Sequence, residues 1–198
     1  MVSSLRHPGG SVGWYAAALL LPPAVLVAGE HLTRLMGGTV LWDPEPLPAG
    51  TTLVGFAAVM FAYTLLYAGG LNEETGWTGL ALPRLLRRFS PAIASMLLWA
   101  LWITWHLPFH VSGHWNADTL SFQVALVSTF LARFLFTWLY LRTEGGLWSA
   151  LLFHTSANVA YAVIPATGAA ILIHGLLALV AVITARMWTR PQPAPWGP

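Results

Sequence analysis

The chain has 198 residues, 57% of them hydrophobic and 8% charged, where an ordinary soluble domain carries roughly 25% charged residues. A mean hydropathy of +0.66 and a net charge of only +2 exclude a water-soluble globule and a nucleic-acid binder, since no basic patch is dense enough to follow a phosphate backbone. There is no cysteine, which excludes disulfides and thiolate chemistry, and all nine basic residues are arginine. The expected class is one all-α domain, a polytopic membrane helix bundle in contact with lipid.

Residues 1–13 read as a short polar tail. The apolar stretch 14–36 reads as a retained first span, because it is long, carries Pro22 and Pro23 and lacks a clear cleavage site. Residues 37–50 form a Gly/Pro-rich loop. A second span begins near residue 51, and further spans cover 91–109, 120–141, 147–164 and 169–188. Each approaches the roughly 20 residues needed to cross the hydrocarbon core, the fifth being short. A polar loop at 110–119, turns at 142–146 and 165–168, and a Pro-rich tail at 189–198 complete the layout, with the bundle at 14–188. Six spans put both termini on one side. Arg6, Arg84, Arg87, Arg88, Arg142, Arg186 and Arg190 fall on that side and Arg34 alone on the other, so the termini are expected to be cytoplasmic. The lysine-free composition hints at a GC-rich bacterial genome, and so at a bacterial cytoplasmic membrane.

Glu73 and Glu74 stand side by side after the second apolar run, in a chain with seven acidic residues. An ionisable group in a bilayer segment costs at least about 2.5–3.5 kcal/mol, so the pair is a functional-site candidate; the plain alternative is a cap on an interfacial helix. If the second helix continues through the acids to about residue 88, Glu73 lies roughly 16 Å above Arg84. His106 then lies roughly 22 Å from Pro91 and His154 roughly 10 Å from Leu147, which puts all three in one band of the membrane. Leu80, Leu82, Leu85 and Leu86 support that continuation, Gly76 and Gly79 are expected to admit a neighbouring helix, and Pro83 to kink the helix.

His106 with His110, and His154 with Asn158, share the i,i+4 spacing of one helix face. A lone histidine in an apolar helix is more often a packing residue than a catalyst. Two buried histidines, a buried asparagine and two acids from three helices at one depth make an acid–base or metal site. Glu73 or Glu74 with His106 and His154 offers three ligands of the kind catalytic zinc accepts, yet the same residues suffice without a metal. His31 and His174 lack such company and read as structural or interfacial.

In this order the motifs resemble the CPBP family of intramembrane proteases, which includes the type II CAAX prenyl endopeptidases and bacteriocin-processing or immunity proteins. The family's Glu-Glu-x-x-x-Arg motif corresponds to Glu73, Glu74, Thr75, Gly76, Trp77 and Thr78, followed by Leu82, Pro83, Arg84 and Leu85. Its aromatic-x-x-x-His motif corresponds to Trp102 and His106, and its His-x-x-x-Asn motif to His154 and Asn158, the likeness covering about residues 50–164. The resemblance implies endoproteolysis of a membrane-associated peptide or protein, prenylated in the CAAX branch. It implies Glu73 as general base helped by His106, Glu74 as an orienting group, and His154 with Asn158 as oxyanion donors. No serine or cysteine in these motifs is placed as a nucleophile, so no acyl-enzyme is expected. One position departs: Thr78 stands where the motif has arginine. Arg133, about 18 Å along the fourth span, is expected to supply that cation to Glu74, or else to snorkel between Thr129 and Thr137. Two rival readings are a non-catalytic immunity or scaffold protein of the same family and a proton-coupled transporter, the latter disfavoured because no inverted repeat is evident.

Overall fold

The computed structural model describes residues 9–40, 47–112 and 119–189. The expected tails and the loops at 37–50 and 110–119 lie wholly or partly outside them. Among the described residues every regular element is helical: α1 (Val12–Leu35), α2 (Leu53–Leu66), α3 (Gly70–Gly76), a π-helical turn (Trp77–Ala81), α4 (Leu82–Leu86), α5 (Pro91–Val111), α6 (Thr119–Arg142), α7 (Leu147–Val163) and α8 (Gly168–Thr184). Helix starts follow local chemistry. The Thr52, Ser90 and Thr167 side chains accept the backbone N–H groups of Gly55, Ile93 and Ala170, and Pro91 occupies the first turn of α5, where no N–H is needed.

Among the described residues four stretches are long and apolar enough to cross a membrane: α1, Leu53–Leu86, α5 and Phe122–Arg142; α8 is a shorter apolar helix. Helix α7 holds the centre, packing on α1, α2, α3, α6 and the π turn. Its buried residues include Ser149, His154, Thr155 and Ser156. So polar a helix is costly against lipid and tolerable inside a sheath of apolar neighbours, which explains why the fifth predicted span is short and weakly apolar.

Small residues and hydroxyls join the helices. A Cβ on Gly29 would lie 2.6 Å from the Cα of Ala170, so α1 and α8 touch backbone to backbone there. Pro23 has no N–H to give the Leu19 carbonyl one turn back, and the Ser156 hydroxyl donates to that carbonyl instead, at 2.5 Å. Ser156→Ala should therefore lower stability in detergent by about 1 kcal/mol, read from the unfolding free energy, with the fold retained. Helix α5 is tied to α6 by Ser95 donating to Thr137 at 2.7 Å and by the Trp99 indole donating to Thr129 at 3.2 Å.

The acid-bearing helix departs from the expected continuous rod in two places. It is broken at 67–69, where Gly69 has φ of 122°, a conformation that favours glycine. Asn72 bridges the break: its Nδ2 donates to the Tyr67 carbonyl at 3.0 Å, and its Oδ1 accepts the Gly69 N–H at 2.8 Å. The second departure is the π turn, closed by the Leu82 N–H donating to the Trp77 carbonyl. Pro83 follows immediately; it offers no N–H and its ring crowds the carbonyl four residues back, so the irregularity expected at Pro83 is taken up in the preceding turn. Gly79 admits Leu147 of α7, 3.3 Å from where a Cβ would stand, whereas Gly76 has nothing within 4 Å and admits no neighbour.

Candidate active site

Glu74 is fully buried, at 0% exposure, on the inner face of α3. Its Oε1 accepts from His154 Nδ1 of α7 at 2.9 Å. Its Oε2 takes the Thr78 hydroxyl one turn on and Arg133 Nη1 of α6 at 3.5 Å. Removing a carboxylate and a guanidinium from water costs several kcal/mol per ion, and only a paired, multiply hydrogen-bonded arrangement offsets it. The expected ion pair between Arg133 and Glu74 is thus present, and Thr78 is its third member. Arg133 lies with its guanidinium carbon 4.5 Å from the centre of the Phe136 ring. Phe136 in turn meets the His154 ring edge-on at 5.8 Å. Thr129 and Thr137 serve the α5 helix through their hydroxyls, as described above.

Neighbouring residues on a helix point about 100° apart, so Glu73 and Glu74 address different partners. Glu73 is half-buried and faces α5, where the Trp102 indole donates to its Oε2 at 2.9 Å. The Trp102 ring lies 3.7 Å from that of His106. His106, 2% exposed, places Nδ1 2.9 Å from the Trp102 carbonyl. A carbonyl only accepts, so Nδ1 carries the proton in this contact.

Asn158 corrects one expectation. It is exposed rather than buried, because α7 passes the break at 67–69 there and the free Ala68 carbonyl takes its amide at 3.2 Å. Its Nδ2 nevertheless converges with His154 Nε2: a Cβ on Gly69 would lie 2.7 Å from the His154 nitrogen and 2.9 Å from the Asn158 nitrogen. His110 packs against Phe122, with ring centres 4.8 Å apart. His31 bonds the Val27 carbonyl at 2.8 Å and His174 the Ala170 carbonyl, both local contacts within their own helices.

Among the described residues no group of three or more histidine, aspartate or glutamate side chains is arranged to hold a metal ion. Glu74 is committed to Thr78, Arg133 and His154, and Glu73 to Trp102. The zinc donor set of Glu73, Glu74, His106 and His154 therefore does not fit a metal as arranged, and no step below runs through one. Sequence reasoning missed Gly69, Asn72 and Phe136 as parts of the site. The Gly69-Gly70 pair directly before the acids was the available signal, since paired glycines mark a break.

Fold and site together define a class: a helical membrane protein with an acid–histidine cluster enclosed by its spans. Residues 53–160, more than half of the chain, match the family model described as type II CAAX prenyl endopeptidase Rce1-like. The chain belongs to that Rce1-like family. It is also similar to CAAX prenyl protease 2 of Methanococcus maripaludis, with 28% identity over 147 residues, covering 71% of this chain and 52% of the relative. The chain thus spans about half the length of that curated relative.

Proposed function

We propose that the protein is an intramembrane endopeptidase that hydrolyses a peptide bond of a membrane-associated substrate with water activated by Glu73. The observation that carries this reading is the convergence of His154 Nε2 and Asn158 Nδ2 beside Gly69, whose carbonyl accepts the N–H of Glu73 one turn on at 3.1 Å, with Glu73 in turn bonded to Trp102. Glu73 takes a proton from water, and the hydroxide adds to the substrate carbonyl. The negative charge that develops on the carbonyl oxygen is met by Asn158 and by a protonated His154, which donates from Nε2 while Glu74 holds its Nδ1–H. The amine leaves with the proton held by Glu73, and His106, whose ring lies 3.7 Å from that of Trp102, assists Glu73 in activating the water. Glu74, fixed by Arg133 and Thr78, orients His154 and does not exchange protons. The substrate class that the family suggests is a prenylated C-terminal segment, and the arginine distribution supports a cytoplasmic location for both termini, and so for that substrate, in a bacterial membrane.

Thr78, in place of the motif arginine, favours one rival: a family member that keeps the fold and serves as an immunity or scaffold protein. Cleavage of prenylated and unmodified membrane peptides by the purified protein in liposomes, with Glu73→Ala as control, separates the two. Product formed by the parent protein and not by the variant is expected; no product from either leaves the non-proteolytic reading. Gly69→Ala should lower the cleavage rate by about 10²–10³-fold, since its methyl would occupy the space beside both donor nitrogens. The same substitution strains the backbone at 69, so the rate is compared with that of Asn72→Ala, which loosens the break and leaves the space open. A Gly69→Ala rate no lower than that of Asn72→Ala would remove the oxyanion role.

A further inference from the structure

At the end of the bundle remote from the loop at 37–50, the last turn of α6, the end of α8 and the start of α5 enclose a cleft of about 230 Å³. Pro91, Leu141, Arg142, Thr184, Ala185 and Thr189 line it. Among the described residues Arg142 is its one charged group. One guanidinium nitrogen donates to the Thr184 carbonyl at 3.3 Å, and the guanidinium carbon lies 5.5 Å from the Trp14 ring and 6.0 Å from the Trp138 ring. Among the described residues its Nε is buried with no hydrogen-bond partner, and no carboxylate forms an ion pair with it. A half-buried guanidinium beside an open cleft, paired with no carboxylate among the described residues, suits an anion. The same end of the bundle carries Arg84, Arg87, Arg88 and Arg186, against Glu144 as the one acid there among the described residues. Trp148 and Trp188 are exposed at this end, 37% and 59%, as aromatic side chains at headgroup level are.

We infer that this cleft binds the phosphate of an anionic membrane lipid, with Arg142 as its cation and Thr184 and Thr189 at its rim. The surrounding arginines select an anionic headgroup over a zwitterionic one, because a choline group would meet the same positive field. Acyl chains leave along the exposed apolar flank of α8, where Leu176, Leu179, Val180 and Ile183 face outward. The inference is independent of the catalytic reading, since none of these residues touches the Glu73–His154 cluster.

The test uses the full chain, purified and stripped of lipid in a neutral detergent. Phosphatidylglycerol, phosphatidylcholine and inorganic phosphate are offered separately, with bound lipid read by native mass spectrometry and stability by the thermal midpoint. Phosphatidylglycerol is expected to be retained and to raise the midpoint, with phosphatidylcholine and inorganic phosphate doing neither. Arg142→Gln should weaken phosphatidylglycerol binding by about tenfold or more. Arg142 also holds Thr184 and two indole rings, so Thr189→Glu is the second variant. It keeps Arg142 and places a carboxylate at the cleft, and it should fold normally and lose the lipid. Retention of phosphatidylglycerol by both variants, or equal retention of phosphatidylcholine, would overturn the inference. A midpoint shift from inorganic phosphate equal to that from phosphatidylglycerol would overturn the lipid as the source of the anion.

Discussion

Glu73→Gln is expected to lower the cleavage rate by about 10²–10⁴-fold while leaving the protein folded. The amide has the shape of the carboxylate and keeps an oxygen for the Trp102 indole to reach at 2.9 Å, so the contact between α3 and α5 survives. What disappears is the ability to take a proton from water. Trp102→Phe makes the complementary change: it removes the donor, leaves Glu73 ionisable and loosens the plane on which His106 rests. Its loss of rate should be the smaller of the two. Rates in liposomes, normalised to protein that still unfolds at the parent midpoint, distinguish the outcomes. Glu73→Gln at parental rate would take Glu73 out of the base role altogether.

Depth along each span was legible from residue spacing, and azimuth around it was not. The rise per residue placed Glu73, His106 and His154 in one band, and it placed Arg133 at a level where it could meet an acid. The two adjacent acids have the same depth to within one residue, so spacing could not say that Glu74 turns inward to α7 while Glu73 turns to α5. A helix among lipid and other helices is apolar around most of its circumference, so the pattern that would reveal a buried face in a soluble helix is missing in a membrane. Asn158 was misjudged for a related reason. Its i,i+4 relation to His154 puts it on the same face, but one turn further on, where that face emerges beside the break at 67–69. The break itself depends on a glycine with positive φ and an asparagine that satisfies both stranded backbone groups, a tertiary arrangement that two glycines in a row only suggest. By contrast, the centrality of α7 follows from its composition once its shortness is taken as burial rather than as a marginal span.

The largest combined effect is expected at Arg133. Arg133→Ala leaves Glu74 fully buried with its cation gone, a change that costs about 3–5 kcal/mol when one member of a buried pair is removed. It also frees Glu74 to shift off His154, so activity should fall as severely as in Glu74→Gln. Thr78→Arg, which restores the family's motif residue, should itself be harmful in the parent chain. Position 78 is 0% exposed, its hydroxyl is already on Glu74, and a second guanidinium would meet Arg133 across the same carboxylate. Combined, the two substitutions should be less damaging than their separate effects predict, because removal of the Arg133 side chain opens the space that the arginine at 78 needs and one cation again faces Glu74. The measurement is a double-mutant cycle on both the unfolding free energy and the cleavage rate. A coupling of about 2 kcal/mol or more in the rescuing direction identifies Arg133 as the cation of the acidic motif, supplied from a different helix. Additive losses would mean that Arg133 stabilises α6 for reasons of its own and that the protein works, or fails to work, without the motif's positive charge.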